Sequence, residues 1–136
     1  MDCFNFTTAY QVRISDINYG NHVANSAVLN FFQDARIRYL ATIGDFTEFD
    51  ISGCGIILPE ANVQYKAEMF LADELVIGVK ISKLGRSSMT MEYQIERGDK
   101  VTACGSTALI AFNYQRRKPC RLPQLFKDAV IAFEGL

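Results

Sequence analysis

Apolar and polar residues alternate along five segments of the chain, and a further segment between the first two has helical spacing instead. In the first segment Tyr10, Val12 and Ile14 recur at every second position, which is typical of a strand with one buried face. The second segment is interrupted by Pro59, so we expect a bulge or an edge position there. The predicted strands are Thr8–Ser15, Gly55–Lys66, Glu74–Leu84, Ser88–Arg97 and Val101–Tyr114.

A long amphipathic helix is predicted between the first two strands. Its apolar residues recur at spacings of three and four and form one stripe. The stripe consists of Val28, Phe31, Phe32, Ala35, Tyr39, Leu40 and Ile43. We expect Asn25 or Ser26 to cap the start of this helix, and Gly44 stands in the position usual for a helix end. A shorter amphipathic helix is predicted over Leu122–Phe133.

Short turns at Leu84–Ser87 and Arg97–Lys100 connect the last three strands, which predicts an antiparallel meander. One strand, one long helix and then a meander is an α+β pattern. The apolar stripe of the helix has only the sheet to cover it. We therefore expect a hotdog fold, in which a curved antiparallel sheet wraps around one long central helix, as a single domain over residues 1–136.

Composition narrows the class of protein. The chain has 136 residues, of which 49% are hydrophobic, and a net charge of −1, values that are typical of one globular domain without affinity for nucleic acid. No apolar run approaches the roughly 20 residues of a membrane span. The first residues have neither a basic start nor an apolar core, so we expect no secretory leader and a cytoplasmic location.

The cysteines and the single histidine bear on metal binding and on disulfides. The chain has four cysteines, far apart in sequence, and one histidine, His22. No pair of these residues has the spacing of metal ligands, so we expect no metal site. We expect the four thiols to remain reduced, because the cytoplasm is a reducing compartment. They are Cys3, Cys54, Cys104 and Cys120.

The most distinctive segment is the polar stretch Asp16–Asn25, which joins the first strand to the long helix. It holds an acid, three amides, a glycine and the only histidine within ten residues. The first N–H groups of a helix have no intrahelical partner and favour developing negative charge. Such a junction is therefore suited to placing a reacting group beside an oxyanion site.

The order of residues in this segment resembles the 4-hydroxybenzoyl-CoA thioesterase-like family of the hotdog superfamily. The resemblance begins with Asp16, Asn18, His22, Val23 and Asn25, which are followed by the triplet Asp34-Ala35-Arg36. It continues through Gly55–Tyr65, Asp73–Leu75 and Lys83–Ser88 and so covers almost the whole chain. Each motif alone is weak, but their order and spacing together are fairly specific for the fold.

The resemblance implies hydrolysis of an acyl thioester, usually an acyl-CoA, with CoA as part of the substrate and no separate cofactor. It also implies an active site between two subunits of a homodimer, which often pairs again into a homotetramer. Pantetheine would run along this interface. The residues expected to bind substrate on this basis are Tyr19, Ser26, Gly55, Gly85, Arg86 and Ser87.

Thioester hydrolysis needs a carboxylate, to attack or to activate water, and donors for the carbonyl oxygen. The N–H groups near Asn25 and Ser26 are the predicted donors. Many relatives place their acting aspartate two residues beyond the first acid, where this chain has Asn18, and an amide is not a general base. Asp34 or Asp16 then serves instead, or the chain has lost hydrolysis.

Each of these candidates also has a purely structural interpretation. Asp34 can form an ion pair with Arg36, with Arg38 or across a subunit contact, and Asp16 is a common turn-former. His22 is expected either near the thioester or as a histidine that bonds the backbone of a turn. Asn18 can orient water, donate to the thioester carbonyl or pack the loop.

The sequence is also compatible with two other functions. A hydratase or dehydratase of acyl thioesters would pair His22 with Asp16, and a non-catalytic acyl-CoA binding protein would account for Asn18. The basic run Arg116–Lys118 suits the phosphates of CoA, although exposed basic turns are common. The acyl group, and the choice between CoA and an acyl carrier protein, leave no linear signal.

Overall fold

The computed structural model describes all 136 residues as one curved antiparallel sheet with two α-helices. The sheet has the strand order β1-β3-β4-β5-β2, and the short β6 pairs with the end of β5. The strands are β1 Phe6–Gln11, β2 Gly55–Tyr65, β3 Glu74–Leu84, β4 Ser88–Arg97, β5 Lys100–Asn113 and β6 Lys118–Pro119, and the helices are α1 Asn25–Gly44 and α2 Gln124–Glu134. The predicted hotdog architecture is confirmed. Neither helix is both long enough and apolar enough to cross a membrane.

Helix α1 lies against the sheet along its apolar stripe. The side chains of Phe31, Phe32, Ala35, Tyr39 and Leu40 are at most 1% exposed, and the helix contacts β1, β2 and β3. The predicted stripe is therefore confirmed except at its last position, Ile43, which is half-buried. Burial of these side chains provides most of the stability of the helix, since intrinsic propensity contributes little.

The start of α1 differs from the prediction. The cap residue is Ala24, whose carbonyl accepts from the N–H of Ala27 at 2.9 Å, and no side chain caps the helix. Asn25 and Ser26 are already helical, so the prediction that one of them is the cap is wrong. At the other end Gly44 is the last helical residue, and Asp45 takes the left-handed conformation with φ 58°.

The alternation of apolar and polar residues also predicts the wrong bounds for the first strand. It runs over Phe6–Gln11 rather than Thr8–Ser15, and Val12 leaves the sheet to exchange backbone hydrogen bonds with the loop before β3. The chain then forms a 3₁₀ turn over Ile14–Asp16. Ile14 is 73% exposed, because the turn ends the pleat that would have buried it.

Strand β2 lies at the edge of the sheet, and its register against β5 shifts between Ile57 and Glu60. Both outcomes expected from Pro59 are therefore confirmed. The meander of β3, β4 and β5 is confirmed as well. Helix α2 begins at Gln124 rather than Leu122, because Pro123 occupies its cap position.

A buried polar network joins the middle of α1 to the sheet. Arg36 donates through Nε to Glu48 at 2.7 Å and through Nη1 to the hydroxyl of Tyr93 at 2.9 Å. The ring of Phe32 stacks on that of Tyr93 with centroids 4.4 Å apart. Burial alone would lower the pKa of Arg36, but Tyr93 and Glu48 outweigh it, so the pKa is raised. Arg36 is thus a partner of Glu48 and not of Asp34.

Candidate active site

The polar stretch Asp16–Asn25 folds back on itself before α1. Ile17 and Val23 form an isolated antiparallel bridge, and the N–H of Asn18 donates to the carbonyl of His22 at 3.1 Å. The N–H of Ala24 donates to the carbonyl of Asp16 at 2.9 Å. These bonds close the stretch into a compact loop whose two ends both lie at the start of α1.

Asn18 and His22 meet around Gly20 at the tip of this loop. The side-chain oxygen of Asn18 accepts from the N–H of Gly20 at 2.9 Å. A Cβ atom on Gly20 would lie 3.2 Å from that oxygen and 3.3 Å from Nε2 of His22. The structure therefore brings the predicted residues Asn18 and His22 together, and the glycine leaves room for both.

His22 is half-buried, and its Nδ1 lies 3.0 Å from the carbonyl of Val23. A proton on Nδ1 makes this contact a hydrogen bond and leaves Nε2 as an acceptor. His22 thus bonds the backbone of the turn, which was the structural alternative predicted for it. It also lines a cleft. It does not pair with Asp16, so the pair on which a hydratase mechanism would depend is not formed.

The cleft beside His22 has a volume of about 260 Å³ and lies between the start of α1 and the end of β2. Its lining consists of His22, Val23, Asn25, Tyr65, Lys66, Ala67, Glu68 and Met69. The hydroxyl of Tyr65 donates to the carbonyl of Asn25 at 3.0 Å and fixes β2 to the helix start. The backbone N–H groups of Asn25 and Ser26 donate to no acceptor in the protein. They are therefore available to an anionic oxygen, as helix N-terminal groups are in general.

Asp16 is engaged by two donors. Its Oδ2 accepts from the hydroxyl of Tyr10 at 2.7 Å and from the N–H of Arg13 at 2.9 Å. Burial, and then the hydrogen bond and charge of Asp16, raise the pKa of Tyr10 to about 12. Asp16 therefore forms a turn, as its structural alternative predicted, and both of its donors lie earlier in the chain.

Asp34 lies away from the cleft. It follows Asn25 by nine residues, which corresponds to about 13 Å along the axis of α1. Its Oδ2 accepts from Nε of Arg38 at 3.1 Å, so the structural alternative of an ion pair with Arg38 is present. The donors at the helix start and Asp34 of the same chain are too far apart to act on one carbonyl group.

The remaining predicted substrate contacts are not gathered at this cleft. The side chain of Tyr19 is fully exposed. Gly55 begins β2 and Tyr65 ends it, so Gly55 lies about 33 Å from the cleft end of that strand. The turn Gly85–Ser87 is at the same end of the sheet as Gly55, since the carbonyl of Ser87 accepts from Ala111 and β5 pairs there with the start of β2. The chain thus holds the predicted site residues in two separate places.

One lining residue, Glu68, was not among the residues predicted from sequence. It lies in the loop after β2, outside every motif of the family pattern, and it provides the only carboxylate of the cleft. No alternation or spacing marks such a loop position. Elsewhere in the protein, no three His, Cys, Asp or Glu side chains come together in a way that would hold a metal ion.

Comparison with known proteins identifies the family. The family model of the thioesterase-like superfamily matches residues 12–130. A thioesterase from Thermus thermophilus, solved with coenzyme A and Zn, is 28% identical over 100% of this chain and 98% of that one, with a TM-score of 0.88. The chain therefore belongs to the thioesterase-like superfamily, and its class is that of the hotdog-fold acyl-CoA thioesterases.

Two further relatives carry a named substrate. The 1,4-dihydroxy-2-naphthoyl-CoA hydrolase of Synechococcus elongatus is 22% identical over 120 residues, which are 86% of this chain and 88% of that protein. A 1,4-dihydroxy-2-naphthoyl-CoA thioesterase from Synechocystis has a TM-score of 0.82 at 22% identity and covers 92% of this chain and 94% of its own.

Proposed function

We propose that the protein hydrolyses an acyl-CoA thioester to the free acid and CoA at the cleft beside His22. The observation that carries the proposal is the pair of unpartnered N–H groups of Asn25 and Ser26 in the first turn of α1, of which Asn25 lines a cleft of small-molecule size. Donors that are fixed before the reaction and aimed at a developing oxyanion are usually the largest contribution to such catalysis.

In this mechanism the thioester carbonyl oxygen accepts from the N–H groups of Asn25 and Ser26. Water attacks the carbonyl carbon, a tetrahedral oxyanion forms, and the C–S bond then breaks to release the thiolate of CoA. The helix dipole favours the charge that appears on the oxygen. His22 lines the cleft on the side of the loop, with Asn18 near it at Gly20, and these two side chains orient the substrate or the attacking water.

We also propose that the active unit is a homodimer formed through β2. This strand is an exposed edge, and an unpaired edge is a template for pairing with another strand. Antiparallel pairing of two copies about the strand midpoint, Glu60, sets Gly55 opposite Tyr65 of the partner subunit. The end of the sheet with Gly55 and the turn Gly85–Ser87 would then approach the partner's cleft.

A basic cluster at that end of the sheet supports binding of the CoA phosphates. It is formed by Arg86, Arg116, Arg117, Lys118 and Arg121, which come from the β3–β4 turn, the β5–β6 turn, β6 itself and the segment after β6. The N–H of Leu122 donates to the carbonyl of Arg86 at 2.9 Å and joins these segments. Guanidinium groups recognise phosphate with paired hydrogen bonds.

The test is thiol release from a panel of acyl-CoAs by the purified protein. The panel includes short, medium and long straight-chain thioesters together with aromatic ones, because two relatives are named for an aromatic thioester. We expect catalytic release of CoA from at least one member. Release from none of them, with tight binding of CoA esters, would instead identify a non-catalytic binding protein.

A further inference from the structure

We propose that Glu68 is the general base of the hydrolysis, the role that Asn18 is unable to fill. The inference deepens the proposed function and rests on it. Glu68 and His22 line the same cleft as Asn25, although they are far apart in sequence. A carboxylate in the cleft that Asn25 lines is the kind of group that activation of water there requires.

The loop that carries Glu68 is anchored on both sides. Before Glu68, the N–H groups of Lys66 and Ala67 both donate to the carbonyl of Thr102, at 2.9 and 3.1 Å. After it, the carbonyl of Met69 accepts from the N–H of Val23 at 2.8 Å, which fixes the loop directly to the stretch that precedes α1. A backbone fixed in this way holds its side chain beside the reacting atoms.

Arg97 reinforces the loop without engaging the carboxylate. Its Nη1 donates to the backbone carbonyl of Glu68 and also to the carboxylate of Asp73 at 3.3 Å. The carboxylate of Asp73 in turn accepts from the N–H of Phe70 at 2.8 Å. The guanidinium of Arg97 therefore bonds the backbone of Glu68 and the carboxylate of Asp73, and it does not bond the side chain of Glu68.

The three candidate carboxylates differ in what they already bind. Asp16 accepts two hydrogen bonds from its own loop, and Asp34 pairs with Arg38. The carboxylate of Glu68 forms no hydrogen bond and no ion pair in the protein, and its residue is exposed to the solvent that supplies the attacking water. Of the three, Glu68 alone combines a place in the cleft with free acceptor oxygens.

The carboxylate of Glu68 accepts one proton from a water molecule as the water oxygen bonds to the carbonyl carbon, whose oxygen is held by the N–H groups of Asn25 and Ser26. Collapse of the oxyanion breaks the C–S bond. The proton then passes from Glu68 to the departing sulfur, so the products are the free acid and CoA thiol, and Glu68 is again ionised.

The experiment compares wild type, Glu68→Gln and Glu68→Asp in steady-state hydrolysis of the best acyl-CoA of the panel. A matched control is Glu92→Gln, on β4 and outside the cleft. Binding of a non-hydrolysable thioether analogue is measured in parallel. We expect kcat of Glu68→Gln to fall by about 10²-fold or more, an unchanged Kd for the thioether, partial activity in Glu68→Asp and wild-type kinetics in the control.

A loss of kcat in Glu68→Gln with wild-type binding of the thioether supports the role in chemistry. A kcat within about threefold of wild type, or an equal loss in Glu92→Gln, would overturn it. Loss of thioether binding together with kcat would show a structural role and would also overturn it. A wild-type protein that hydrolyses no thioester overturns the proposed function itself, whereas an active wild type with an active Glu68→Gln overturns only this inference.

Discussion

The hydroxyl of Tyr10 donates a 2.7 Å hydrogen bond to the carboxylate of Asp16 and thereby ties the loop before α1 to the first strand. The ring of Tyr10 packs 4.6 Å from that of Phe31 on the helix. Asp16 therefore connects the strand, the loop and, through Tyr10, the helix. This role is the structural alternative to catalysis that the sequence left open for Asp16.

The Tyr10–Asp16 bond predicts a dependence of stability on alkaline pH. The pKa of Tyr10 is raised from 10.0 to about 12 in the folded protein. A group whose folded pKa is raised contributes stability that is complete below its unfolded pKa and is lost as the pH rises through the folded value. We expect Tyr10→Phe to lower the free energy of unfolding by about 1 kcal/mol at pH 9, and by progressively less between pH 10 and 12.

Urea denaturation of wild type and Tyr10→Phe at several pH values measures this difference. Tyr19→Phe, at a fully exposed tyrosine, is the matched control and should change the free energy of unfolding little. A destabilisation by Tyr10→Phe that stays constant up to pH 12 would contradict the assignment.

The buried pair of Arg36 and Glu48 predicts a large loss of stability when one partner is removed. Glu48→Ala leaves a guanidinium that is 6% exposed without its carboxylate. Removal of one partner of a buried pair lowers the free energy of unfolding by about 3–5 kcal/mol. Because Glu48 itself is 19% exposed, we expect a loss at the lower end, roughly 3 kcal/mol. Chemical denaturation is the measurement, with Glu92→Ala as the control, and a loss below 1 kcal/mol would disagree with the structure.

If the dimer forms through the edge strand β2, one charged residue introduced on that strand should disrupt it. Lysine on an edge strand opposes pairing with another edge. We expect wild type to elute with at least twice the mass of one chain in light scattering, and Ala61→Lys to shift towards monomer with a large loss of kcat. Asp99→Lys, in the exposed turn after β4, should leave both mass and activity unchanged. A monomeric and active wild type would refute the proposed interface.

The basic cluster predicts an effect on substrate affinity alone. We expect the double variant Arg86→Ala/Arg116→Ala to raise KM by about tenfold with kcat unchanged, because the lost contacts are made equally in the ground and transition states. The penalty should shrink for a thioester of CoA that lacks the 3′-phosphate and at higher salt. Lys100→Ala, at the opposite end of β4 and β5, serves as the control. A wild-type KM in the double variant would remove the cluster from the site.

The parts of the fold that follow one hydrophobic period were predictable from sequence. Along β3, the residues Leu75, Ile77, Val79 and Ile81 alternate as expected and all are at most 1% exposed. The error at the end of β1 falls where a side chain bonds the backbone. Ile14 continues the alternation of β1, but the bond from the N–H of Arg13 to Asp16 turns the chain there. Hydrophobic spacing does not report such bonds.

The candidate site was predictable only where one contiguous motif forms it. His22 and Asn25 were expected together and do line one cleft. Glu68 comes from a loop distant in sequence, and its approach to the helix start depends on the bond between Val23 and Met69, which no local pattern encodes. Gly55 and the turn Gly85–Ser87 lie at the other end of the sheet. The resemblance implies that they enter a site shared between two subunits, which the structure of one chain does not display.

The most direct test of the account is hydrolysis of an acyl-CoA in ¹⁸O-labelled water, followed by mass spectrometry of both products. Attack of water on the thioester carbonyl predicts free CoA and an equal amount of free acid that carries one ¹⁸O atom. An intact thioester that has gained one labelled water across a carbon–carbon double bond would contradict it and identify a hydratase. Recovery of every unlabelled acyl-CoA unchanged would contradict catalysis altogether.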